Sequence, residues 1–101
     1  MINYLLLTWN RKPFLEQFFK SFYDNINQQD FKFYIIDNGS KDGCVEFLKE
    51  LSINDDRIKL ILNDKNRGLS EYKKLIKEAL KDEAAQYIMM FDDDIIDFPK
   101  N

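Results

Sequence analysis

Four short apolar runs divide the chain, and between them the hydrophobic period changes from continuous to helical. The runs are "INYLLLT" from Ile2, "FKFYII" from Phe31, "IKLIL" from Ile58 and "YIMMF" from Tyr87. Runs of this length bounded by turn residues suit strands buried on both faces. After the first run, Phe14, Leu15, Phe18, Phe19 and Phe22 recur at helical spacing behind Pro13, a residue suited to a first turn. Val45, Leu48 and Leu51 form a second apolar stripe behind Asp42, and Tyr72, Leu75, Ile76, Ala79 and Leu80 a third behind Ser70. Asp42 and Ser70 are the expected N-caps. The order β-α-β-α-β-α-β with short turns predicts an α/β three-layer sandwich around a mainly parallel four-stranded sheet with right-handed crossovers. Residues 1–101 read as one domain, with no internal repeat and no linker.

That topology has a functional consequence. In open α/β sheets, ligands bind beyond the carboxyl ends of the strands. The segments gathered there are "TWNR", "DNGSKDG", "NDKNRG" and "DDDIID". Composition narrows the chemistry. A net charge of −3 gives no basic footprint for nucleic acid, and the absence of His excludes His-based triads and the common zinc sites. A single cysteine, Cys44, permits no internal disulfide and points to a reducing cytoplasm. No apolar run approaches a membrane span, and the start has no basic segment of a signal peptide. An acidic chain that holds an anionic ligand needs a local device, such as a metal or placed Arg and Lys.

Each loop offers a piece of such a site, alongside an ordinary structural reading. Asp92, Asp93 and Asp94 leave the last strand together, and alternation puts Asp92 and Asp94 on one side. Such a pair can hold a hard divalent cation with substrate phosphates and water; equally, an acid run can be a solvated turn. Asp37 and Asn38 offer acceptors and a donor for the edge of a base, or an ordinary turn that Gly39 makes tight. Trp9 can stack on a flat ring or pack in a core. Arg67 can grip a phosphate or stand in solvent. There is no G-x-G-x-x-G after the first strand and no G-x-x-x-x-G-K-[ST], so glycine-cradled phosphates are poor readings.

Taken in order, Thr8-Trp9-Asn10-Arg11, Ile36-Asp37-Asn38-Gly39-Ser40-Lys41-Asp42-Gly43, Asn66-Arg67-Gly68 and Asp92-Asp93-Asp94 resemble the motifs of family 2 glycosyltransferases of the GT-A fold. The resemblance spans almost the whole chain, and "DNGSKDG" is its most specific piece. It implies a nucleotide-diphosphate sugar donor, most often a UDP-sugar, bound with Mn²⁺ or Mg²⁺, and inversion becomes the expected stereochemistry of transfer. By that resemblance Thr8, Trp9, Asp37, Asn38 and Arg67 belong to the donor site, with Trp9 beside the base. Asp92 and Asp93 fall near the ribose or sugar, and Asp94, with Asp92, would contact the metal. The acceptor, whether saccharide, lipid or protein, and the general base belong to a C-terminal half that this sequence is expected to lack. The expected location is cytoplasmic, at the inner membrane face if missing parts supply a membrane contact.

Departures are visible. "LSEYKKLIKEAL" follows "NRG" where the family often has small residues and then Arg-Asn, and Asn38 stands where many members have a second Asp. Two other classes compete: a non-catalytic nucleotide-sugar-binding module, and a Mg²⁺-dependent phosphoacceptor signalling domain. The second fits poorly because "TWNR", and no acid pair, follows the first strand. An exposed sheet edge would also offer a route to a homo-oligomer.

Overall fold

The computed structural model describes residues 2–26, 30–81 and 87–91. Strands β1 (Ile2–Thr8), β2 (Phe31–Asp37), β3 (Ile58–Leu62) and β4 (Tyr87–Phe91) alternate with helices α1 (Lys12–Asn25), α2 (Cys44–Asn54) and α3 (Glu71–Leu80). A single 3₁₀ turn at Gly68–Ser70 leads into α3. The strands form one sheet in the order β3-β2-β1-β4, every neighbouring pair parallel, as the alternating pattern predicts. Register sets where the strands end. Thr8 pairs with Asp37 and Asp37 with Leu62, so three strands end level, while Phe91 pairs with Leu6.

Strand alternation sorts the core into two clusters. Tyr4 and Leu6 of β1 join Phe31, Phe33 and Ile35 of β2 against α1 and α2. Leu5 and Leu7 join Ile36 against Leu75 and Ala79 of α3. The first cluster is largely aromatic. The Phe22 ring meets Tyr4, Phe31 and Phe33 at centroid distances of 5.1, 5.2 and 5.1 Å, all near edge-to-face, the arrangement ring quadrupoles favour. Beside it, the Asp55 carboxylate accepts bonds from the backbone N–H, Nε and Nη2 of Arg57 and from the Tyr23 hydroxyl, all at 2.9–3.0 Å. The Arg57 guanidinium lies 4.0 Å from the Phe31 ring centre, joining the ends of α1 and α2 to the start of β3.

Three local expectations are corrected. Gly43, left-handed at φ 96°, is the N-cap of α2, and Asp42 stands one position earlier, its Oδ1 accepting the Cys44 N–H. Ser70 makes no capping bond, and its hydroxyl donates to the Arg67 carbonyl. The buried stripe of α3 is Glu71, Leu75 and Ala79, and this rotation turns Leu80 out to solvent. Among the described residues no helix is long and apolar enough to cross a membrane.

Phe22→Ala is expected to lower unfolding free energy by about 3–5 kcal/mol in urea titrations, because its cavity opens among rings that cannot collapse together. Hydrogen bonds from Arg57 hold the Asp55 carboxyl below its ordinary range, against the opposing effect of burial. The bonded form is the charged one. Its stabilisation is therefore complete above the unfolded carboxyl value of about 3.9 and drains away as pH falls through the depressed folded value. Asp55→Asn is expected to flatten the acid limb of stability against pH, measured by thermal unfolding at pH values on both sides of that range.

Candidate functional site

Where β1, β2 and β3 end level, their exit loops are laced together by side chains. Ser40 Oγ accepts the Asn10 N–H at 2.8 Å, and Asn10 Oδ1 accepts the Lys41 N–H at 2.7 Å. Asp42 Oδ2 accepts the Lys12 N–H at 3.0 Å. The "TWNRK" and "DNGSKD" segments are thus each other's partners. Asp37 shapes the turn between them: its Oδ1 accepts the N–H groups of Gly39 and Ser40 at 3.1 and 2.7 Å. Gly39 is needed there, because at φ 86° an added Cβ would stand 2.7 Å from the Lys65 backbone.

Asn38 ties this pair of loops to the third. Its amide nitrogen donates to Asn66 Oδ1 at 3.0 Å and to the Gly68 carbonyl at 3.3 Å. Its oxygen accepts from Asn63 Nδ2 at 3.1 Å and from the Arg67 N–H at 2.9 Å. Both donors and both lone pairs of the amide are engaged, and the residue is 3% exposed. In this arrangement the Asn38 side chain is engaged within the protein. Its amide holds the loops.

The result is a cleft of about 300 Å³ at the carboxyl edge, lined by Leu7, Thr8, Trp9, Asn38, Asn66, Gly68 and Tyr72. Trp9 is 48% exposed, as a stacking platform requires and a core residue does not. Thr8 Oγ1 and Asp37 Oδ2 are buried at this edge without a hydrogen-bond partner, as is Glu71 Oε2 in the first turn of α3. Buried polar atoms left unpaired are costly, and of these three residues Thr8 is the one on the cleft lining.

Of the sequence-predicted residues, Thr8, Trp9 and Asn38 line the cleft, and Asp37 lies buried beside Thr8 in register. Arg67 is not among the lining residues. Its Nη2 meets Asp64 Oδ1 at 2.9 Å on the surface, a bond that holds the Asp64 carboxyl below its ordinary range. Asp92, Asp93 and Asp94 lie outside the described residues. Asn66 and Tyr72 are lining residues that the motif reading did not select. Asn66 opens the "NRG" motif, and Tyr72 follows it in the first turn of α3.

A larger concavity of about 770 Å³ lies at the opposite, amino edge of the sheet, lined by residues including Tyr23, Asp55 and Arg57. The charged groups of Asp55 and Arg57 are already spent on one another, and strand topology favours the carboxyl edge. The smaller cleft is the better candidate.

Residues 5–101 match the sequence family described as Glycosyl transferase family 2. No curated protein matches the chain. Among solved structures, it is similar to S. aureus TarS, with a TM-score of 0.71 at 17% identity over 92% of this chain. It is also similar to the mannosyltransferase PcManGT from Pyrobaculum calidifontis in complex with GDP-Man and Mn²⁺, with a TM-score of 0.70 at 18% identity over 92% of this chain. The chain spans 16% of the first structure's length and 27% of the second's. At these identities the likeness shows a shared fold, the nucleotide-diphospho-sugar transferase sheet with its flanking helices.

Removing the amide in Asn38→Ala is expected to cost about 1–3 kcal/mol, since it deletes four hydrogen bonds between a buried side chain and the loop after β3. Gly39→Ala is expected to cost a similar amount, about 1–3 kcal/mol for a left-handed non-glycine residue, plus the backbone clash. Chemical denaturation measures both, and amide hydrogen exchange should speed up in residues 63–68 of the Asn38 variant.

Proposed function

The chain belongs to glycosyl transferase family 2, and from that premise we propose that it forms the donor-binding part of a metal-dependent, inverting glycosyltransferase. The donor is a nucleotide-diphosphate sugar, with a UDP-sugar as first choice. The observation that carries this reading is the cleft itself. Three exit loops converge on a concavity with an exposed indole at its rim and unpaired acceptors beside it. Its volume of about 300 Å³ is near the lower limit of small-molecule sites, enough for a base and ribose but not for a whole nucleotide sugar. The diphosphate and sugar would extend out of it.

In this reading Trp9 stacks on the base, and Thr8 and Asp37 receive its polar edge or the ribose. Asn38 contributes by holding the loops in place. Arg67 serves the diphosphate only if it exchanges Asp64 for phosphate. Among the described residues, no group of three acidic or sulfur side chains converges to hold a metal, so the ligands are sought in the acids that follow β4. Phe91 pairs with Leu6, and Asp92 follows it directly, which supports a place for those acids near the cleft. Asp94 and Asp92 would hold Mn²⁺ or Mg²⁺, with Asp93 nearer the donor. A divalent ion held there would supply Lewis-acid stabilisation of the charge on a diphosphate leaving group. The presence of GDP-Man and Mn²⁺ in the P. calidifontis neighbour supports both a nucleotide sugar and a divalent ion. The acceptor, whether saccharide, lipid or protein, and the general base are assigned to no residue of this chain.

Calorimetric titration of UDP with and without Mn²⁺ tests the reading. Binding should tighten when Mn²⁺ is present, and Asp94→Ala should abolish that gain while leaving the metal-free affinity unchanged. Trp9→Ala should weaken binding by about 5- to 150-fold, the value of one base–aromatic stack. Equal affinity with and without Mn²⁺ in the wild type would remove the metal from the account.

A further inference from the structure

The cleft has a second aromatic on its lining. Tyr72, in the first turn of α3, lines the same concavity as Trp9, at the end of β1. The two residues come from elements 63 positions apart in sequence, brought together because α3 packs on the Leu5 and Leu7 face of β1. Tyr72 is partly buried against the Leu5, Leu7 and Leu75 cluster, which anchors the ring while leaving part of it on the cleft lining. An anchored Tyr has few rotamers to lose on binding a flat ligand. The amide beneath, Asn38, is fully engaged within the protein. With that amide occupied, Trp9 and Tyr72 are the two flat side chains on the lining that a heterocycle can stack against.

We propose that Tyr72 is a second stacking wall, so that the base is gripped between the Trp9 indole and the Tyr72 ring and is recognised mainly through its faces. This rests on the nucleotide reading above and adds a residue to it. Stacking is tolerant of base identity because every base has a π-face, so Tyr72 should matter for uridine and guanosine nucleotides alike.

Trp9 is the only tryptophan, so its fluorescence reports on the cleft directly. UDP and GDP are titrated against wild type, Tyr72→Phe and Tyr72→Leu, with thermal melting as a check that each variant is folded. Leucine keeps the apolar packing but not the ring. Quenching of Trp9 is expected in all three proteins, with Tyr72→Phe within about 2-fold of wild type and Tyr72→Leu weaker by about 5- to 150-fold for both nucleotides. Wild-type affinity in Tyr72→Leu would overturn the stacking role while leaving the donor reading intact. So would an equal loss in Tyr72→Phe, which would assign the effect to the hydroxyl. Absence of nucleotide binding by the wild type would overturn both.

Discussion

One buried amide organises the functional edge of this protein. Asn38 sits where β2 ends, and its four hydrogen bonds reach Asn63, Asn66, Arg67 and Gly68 of the loop after β3. Its backbone N–H donates to the Thr8 carbonyl at 2.8 Å, binding the same residue to β1. Three strands that end level could otherwise send their loops in independent directions. Because an amide offers two donors and two acceptor sites in one plane, a single side chain can fix the loops relative to each other. A carboxylate could not, since it would bring no donor to Asn66 Oδ1 or the Gly68 carbonyl. The asparagine at this position thus has a structural task, holding the exit loops of β1, β2 and β3 together.

The two edges of the sheet divide the labour. At the amino edge, Asp55, Arg57 and Tyr23 satisfy one another and the Phe31 ring, closing that end of the aromatic core. At the carboxyl edge, acceptors on Thr8, Asp37 and Glu71 are buried and unpaired. A folded protein tolerates such groups where binding repays them.

Strand and helix identity were legible because the central run, β1, is buried on both faces and α1 and α3 carry regular stripes. The convergence of the exit loops was legible too, because parallel order sends the loops after β1, β2 and β3 to one edge. Individual roles were harder to read. Asp42, Ser70 and Asn38 are residue types that cap, turn and bridge equally well, and which they do depends on partners 25 or more positions away in the case of Asn38 and Asp42. The surface bond between Arg67 and Asp64, three residues earlier, was not legible from the motif. Tyr72 carried no motif of its own, and only the packing of α3 brings it to Trp9's cleft.

The central claim is that the nucleotide occupies the carboxyl-edge cleft, and amide chemical-shift mapping tests it most directly. With UDP and Mn²⁺ added to ¹⁵N-labelled protein, the largest changes should fall on Thr8, Trp9, Asn38, Gly68 and Tyr72. Changes centred instead on residues 51–57, the lining of the opposite concavity, would contradict the account.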